Sequence, residues 1–143
     1  MSLIKWEDAY NVGIEKIDLQ HQKILEMING LEDFFDTGKM SETTSGCIKE
    51  LIDFIRTHFT FEERLMHETG YPVLDQHRIL HKKIITQISG MLIRINKGKR
   101  VDSSEVMPLL KEWLLKHIDH DDRQYSKYLQ RMAQTAANNK SWV

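Results

Sequence analysis

Apolar residues recur at steps of three and four through four separate stretches of this chain, the spacing that lines one face of an α-helix. The first stretch runs through Ile24, Leu25, Ile28, Leu31 and Phe35, with Asp18 placed to cap its start and Gly38, in "DTGKMS", to stop it. The second is announced by "SETTSG" and repeats Ile48, Leu51, Ile52, Ile55, Phe59, Leu65 and Met66. "ETGYP" ends it, because Gly70 can take a positive φ and Pro72 suits the first turn of the next helix. The third covers about 73 to 96 on Leu74, Ile84, Ile88, Met91 and Ile95. The fourth comes after "NKGKRVDSS", with Ser103 or Ser104 as N-cap and Pro108 early enough to be tolerated. Its inward residues are Leu110, Trp113, Leu114, Ile118, Tyr125, Tyr128 and Leu129.

Residues 1 to 17 carry Trp6, Tyr10, Val12, Ile14 and Ile17 without a helical period, which predicts an irregular arm laid over the core. Residues 133 to 143 read as a polar tail. No strand pattern competes. The expected fold is all-α, an antiparallel up-down-up-down four-helix bundle over 18 to 132 with an irregular N-terminal arm, in a single domain spanning 1 to 143.

Composition narrows the function classes. A formal charge of −1, with acids and bases interspersed, provides no footprint for nucleic acid or an anionic membrane. The one basic cluster, "NKGKR", falls in an expected loop and reads as solvated. A lone Cys47 excludes an intrachain disulfide framework and, within a periodic helix, reads as a small core or boundary residue. No segment has the apolar run of a signal peptide or membrane span, so a cytoplasmic protein is the expectation.

The polar residues on the apolar faces change the picture. His58 and Glu62 lie four apart, as do His77 and His81, and each pair interleaves with the inward residues of its helix. His21, three before Ile24, and His117, four after Trp113, do the same. One buried histidine is ordinarily a satisfied core residue, and a buried Glu62 alone could be a salt-bridge partner. Five histidines and a carboxylate facing inward from four helices would cost several kcal/mol in aggregate if left unpaired, and inward Lys or Arg is scarce. A metal centre resolves that cost. Structural zinc needs only four ligands, and no HExxH pair is present; magnesium and calcium prefer oxygen. Imidazole and carboxylate in this excess suit two first-row ions bridged by carboxylates, with iron or manganese the natural candidates.

A further ligand is expected after His117, where "HIDHDD" offers Asp119, His120, Asp121 and Asp122. Asp121 is in better phase with His117, whereas Asp122 sits about 140° away on a straight helix. Coordination by Asp122 therefore requires a widened turn or a local bend between the two.

The segments "VGIEKIDLQH", "HFTFEERLM", "YPVLDQHRILH" and "WLLKHIDHDD" resemble the successive signatures of the hemerythrin family, its bacterial members in particular, from about Trp6 to Tyr128. The resemblance implies a non-haem centre of two iron ions bridged by carboxylates and oxo or hydroxo. His77, His81 and His117 would hold one iron, His21 and His58 the other, with Glu62 and Asp122 bridging. It selects Asp122 over Asp121, because the family's aspartate comes five residues after its histidine. His67 and His120 lie outside the motifs, at the surface or behind the ligands. By motif offsets, Ile24, Phe59, Trp113, Leu114 and Ile118 would line an oxygen pocket. Asp18, Gln20 and Tyr125 stand where they could hydrogen-bond to ligands, with capping and packing as the plain alternatives.

The implied function is reversible dioxygen binding for carriage or storage, with no catalytic residues and dioxygen as the ligand. Five imidazoles with two carboxylates supply less anionic charge than the four-glutamate sites that activate oxygen. The alternatives are oxygen or redox sensing through the same site, and peroxidase or nitric-oxide chemistry at the open iron. A metal-free phosphotransfer module, which needs one exposed histidine, does not fit several buried ones.

Overall fold

The computed structural model describes residues 4–36 and 42–140 of the chain. Within them a 3-10 turn, Asp8–Tyr10, precedes α1, Glu15–Asp36, then α2, Glu42–Glu68, and α3, Leu74–Asn96. α4, Ser103–Lys116, passes through a π-helical turn, His117–Asp122, directly into α5, Arg123–Lys140. There is no strand among the described residues, and α1 packs on α2 and α4 while α2 packs on α3, the neighbour order of an up-down-up-down bundle. The backbones of α3 and α4 approach one another less closely. No helix among the described residues is long and apolar enough to cross a membrane.

The helix starts differ from the expected caps. α1 begins at Glu15, so Asp18 stands inside the helix and turns its carboxylate back on the arm, accepting from Val12 N–H at 2.7 Å and Gly13 N–H at 3.2 Å. It thus satisfies donors ahead of the helix, as a cap would, from within it. At α4 the N-cap is Asp102, whose carbonyl accepts from Glu105 and Val106 while Arg100 engages its carboxylate at 2.9 Å. Pro108 therefore lies beyond the first turn of α4. Gly70 takes φ +67°, as the chain reversal before α3 requires. The expected stop at Gly38 lies outside the described residues. The expected polar tail continues α5 helically through Lys140, with residues 133–137 exposed.

The arm is fastened at both sides. Val12 is buried, Ile4, Trp6, Tyr10 and Ile14 pack against the core, and Asn29 exchanges hydrogen bonds with the backbone of Ile4 at 3.3 and 2.8 Å. Arg123 donates to Ala9 O at 2.7 Å, and Ser126 Oγ donates to Val12 O.

Two apolar clusters fill the bundle. The larger holds Ile24, Ile28, Leu51, Ile55, Phe59, Ile84, Ile88, Leu110, Leu114 and Ile118, with Cys47 at its edge. The smaller holds Met66, Tyr71, Leu74 and Tyr125. Between them along α2, α3 and the π turn fall His58 and Glu62, His77 and His81, and His117 and Asp122. A polar layer is thereby sandwiched between two apolar ones.

Candidate metal centre

All seven expected ligand residues are buried, with His21, His58, Glu62 and Asp122 at 0% exposure and His77 the most exposed at 4%. α1 contributes His21, α2 His58 and Glu62, α3 His77 and His81, and the π turn His117 and Asp122. The turn answers the phase problem. One extra residue per turn rotates Asp122 onto the face of His117, bringing its Oδ2 to 2.9 Å from His117 Nε2, while Asp121 stays on the outer side with Oδ2 3.9 Å from Nδ1.

The residues fall into two overlapping groups that could each hold a metal ion: His21, His58, Glu62, His117 and Asp122, and Glu62, His77, His81 and His117. Glu62 divides its oxygens between them. Oε2 lies 3.3 Å from His58 Nε2 and 3.8 Å from His21 Nε2, whereas Oε1 lies 3.3 Å from His81 Nε2 and 3.4 Å from His117 Nε2. Asp122 divides less cleanly, with Oδ1 3.3 Å from His77 Nε2 and Oδ2 2.8 Å from His21 Nε2 and 2.9 Å from His117 Nε2. The ion-pair neighbours of Glu62 are thus histidines, and the salt-bridge alternative is realised elsewhere, where Lys111 Nζ donates to buried Glu32 Oε2 at 2.8 Å.

The donor set passes a direct test for cations. His21 Nε2, His81 Nε2, both Glu62 oxygens and Asp122 Oδ2 are buried and lack a directed hydrogen bond, although His21 Nε2 and Asp122 Oδ2 are only 2.8 Å apart. Lone pairs aimed at a shared space rather than at each other produce this combination. An unsatisfied buried polar atom costs roughly 1–3 kcal/mol, and a cation would remove that cost.

Contacts behind the rings hold the Nε2 atoms inward. His58 Nδ1–H donates to Gln20 Oε1 at 2.6 Å and His81 Nδ1–H to Glu63 Oε2 at 2.9 Å, which leaves each Nε2 as the lone-pair atom. Gln20, expected near His21, thus serves His58, and Glu63 escaped sequence reasoning because its partner is on another helix. Tyr125 takes the packing alternative, its hydroxyl 2.8 Å from Thr69 Oγ1. His67 and His120 are exposed, as expected for residues outside the motifs.

Electrostatics show how the cluster behaves without cations. Burial alone would lower His117, but Asp122 and Glu62 outweigh it and raise its pKa well above 6.5. Burial alone would raise Glu62, but His58 and His117 hold it well below 4.5. Burial dominates at His21 and lowers it, against the pull of Asp122. A proton on His117 then partly offsets two buried carboxylates, a role metal ions would take over.

Aromatic rings cover one side of the cluster. Phe59 stacks on His81 with centroids 3.7 Å apart and planes 4° apart, and half-buried Trp113 stacks on His117 at 5.3 Å and 23°. A cavity of about 380 Å³ opens along the α3–α4 seam, with Leu80, His81, Trp113 and His117 in its lining. Ile24, Leu114 and Ile118 are buried at 1% exposure or less in the larger apolar cluster.

A helical bundle with a buried histidine-carboxylate cluster defines a metal-binding four-helix protein. Residues 12–129 match the hemerythrin HHE cation binding domain. The chain is 39% identical over 125 residues to bacteriohemerythrin of Pseudomonas aeruginosa, covering 87% of this chain and 80% of that protein. It is 36% identical over 126 residues to bacteriohemerythrin of Stenotrophomonas maltophilia, covering 88% and 81%. Myohemerythrin of Theromyzon tessulatum is 31% identical over 121 residues, covering 85% and 89%. A solved structure of wild-type hemerythrin superimposes with a TM-score of 0.81 at 28% identity, covering 88% of this chain and 97% of that one. The chain belongs to the hemerythrin family, whose domain implies a di-iron site.

Proposed function

We propose that this protein binds dioxygen reversibly at a centre of two iron ions, for carriage or storage. The division of Glu62 between two sets of histidines carries the reading, because a carboxylate with one oxygen turned to each set is built to bridge two cations. His77, His81 and His117 would hold one iron and His21 and His58 the other, with Glu62 and Asp122 bridging. When bound, the pair of irons would supply the electrons that dioxygen takes up on binding and returns on release.

The chain's own residues do the rest. Gln20 and Glu63 orient His58 and His81, and the π turn presents His117 and Asp122 together. Phe59 and Trp113 hold the rings of His81 and His117, while Ile24, Leu114 and Ile118, buried in the larger apolar cluster, would form an apolar wall that excludes water. That wall offers no general acid to assist O–O cleavage, which favours release of the intact ligand over turnover.

Iron content per chain, with the visible spectrum recorded after anaerobic reduction, on admitting oxygen and after removing it, tests the reading. Two irons with a band that appears and disappears with oxygen are expected. Two irons that oxidise without releasing oxygen would replace carriage by redox sensing or catalysis, and a folded chain that takes up no iron would overturn the di-iron reading.

A further inference from the structure

We propose that Glu63 is a positioning residue that widens the electronic difference between the two iron positions, lowering the potential of the one held by His81, an inference that rests on the di-iron reading above. Glu63 belongs to neither potential ligand group, yet its Oε2 accepts from Nδ1–H of His81 at 2.9 Å. Its other oxygen, Oε1, accepts from Arg78 Nε at 3.1 Å. Glu63 is 25% exposed and Arg78 43%, so a half-buried ion pair at the rim stands directly behind a deeply buried ring.

The corresponding contact on the other side is different in kind. His58 is backed by Gln20, a neutral amide, at 2.6 Å. An amide carbonyl and a carboxylate both fix the ring and its tautomer, so orientation alone does not call for a charge. A carboxylate does more, because its negative charge draws the Nδ1 proton and makes Nε2 a stronger donor. Three imidazoles against two already give the ion of His77, His81 and His117 the greater electron density, and the carboxylate behind His81, against the amide behind His58, widens that difference. The position backed by Glu63 is the one that stabilises the ferric charge more, and so is reduced last. Arg78 moderates this by withdrawing part of the charge from Glu63.

The test is a dye-mediated spectroelectrochemical titration of the full, iron-loaded chain. One electron from the electrode reduces one ferric ion to ferrous at each step, with no bond to the protein made or broken. Glu63→Gln keeps an acceptor for His81 and removes only the charge. Its lower-potential step is expected to shift upward by about 59 mV, equivalent to a tenfold loss of preference for the ferric ion, with the other step unmoved. Glu63→Asp should largely restore the original value. Arg78→Gln should move the same step downward, which mere loosening of the site would not do, and this variant carries the test alone if Glu63→Gln does not fold.

An unshifted lower step in a Glu63→Gln chain holding two irons overturns the proposal, as does an equal shift of both steps or a shift of the same sign in Glu63→Gln and Arg78→Gln. A wild-type chain that binds fewer than two irons would instead remove the di-iron reading on which the proposal stands.

Discussion

Asp122 meets the inner nitrogen of His117 at 2.9 Å, while Asp121, one residue nearer in sequence, reaches only within 3.9 Å of the outer nitrogen. A regular helix would reverse these roles, since a separation of four residues turns through about 40° and one of five through about 140°. The π turn is what exchanges them. Asp122→Ala is expected to lower the iron content from two per chain toward one or none, whereas Asp121→Ala should retain two. Metal analysis of both folded variants decides it, and retention of two irons by Asp122→Ala would exclude Asp122 as a bridge.

Removal of metal should weaken the fold. Without cations, both Glu62 oxygens, Asp122 Oδ2 and the Nε2 atoms of His21 and His81 are left without directed hydrogen bonds in the polar layer. Free metal at a thousand times its dissociation constant stabilises the folded state by about 4 kcal/mol, which corresponds to a melting shift on the order of 10 °C for a chain of this size. Thermal melts before and after anaerobic chelation measure the difference. Equal melting temperatures would show that the cluster does not couple metal binding to folding.

The metal-free chain should also have a stability optimum that loading alters on its alkaline side. Burial opposes the charge on His117, but Asp122 and Glu62 prevail and raise its pKa well above 6.5. The stability from such a raised base is fully present below 6.5 and is lost as pH climbs through the folded value. Glu62 works in the opposite direction. Burial would raise it, His58 and His117 hold it well below 4.5, and its contribution, complete above 4.5, is lost as pH falls through the depressed value. His21, lowered by burial, weakens the fold progressively as pH falls below 6.5. Melting temperatures of the metal-free chain should therefore decline as pH falls below 6.5, more steeply below 4.5, and also as pH rises above 6.5 through the raised value of His117. The alkaline decline should flatten on loading, because a ligand nitrogen of His117 cannot keep its proton. A metal-free chain with no alkaline decline would argue against a protonated His117.

The four helices were legible because their apolar faces repeat over several turns, and the polar layer because histidines and carboxylates interrupt those faces at the same spacing. Even the π turn could be anticipated, since Asp122 is out of phase with His117 on a regular helix. What escaped was decided by contacts that spacing does not encode. Asp18 reads as a cap, but the arm places Val12 and Gly13 N–H groups within reach of its carboxylate and lets the helix begin at Glu15. Glu63 stands one residue after Glu62 with no motif to single it out, and only the packing of α2 on α3 brings it to His81, 18 residues away. The pair of buried Glu32 and half-buried Lys111 spans 79 residues and left no local trace.

Leu114 tests the apolar wall. It is fully buried in the larger cluster, which also holds Ile24 and Ile118, and lies one turn before His117 on the same helical segment. A small polar residue there would open space and admit water near the ligands, and water promotes loss of bound dioxygen in its reduced form. Leu114→Ser is expected to speed autoxidation of the oxygen-bound protein several-fold and, as a large-to-small change in a packed core, to cost about 2–5 kcal/mol of stability. Leu114→Met, which nearly conserves volume, should cost less than about 1.5 kcal/mol and leave the oxidation rate close to wild type. The two variants separate exclusion of water from general loosening when autoxidation is monitored optically at a temperature where both remain folded. A Leu114→Ser protein with two irons and an unchanged rate would take Leu114 out of the wall.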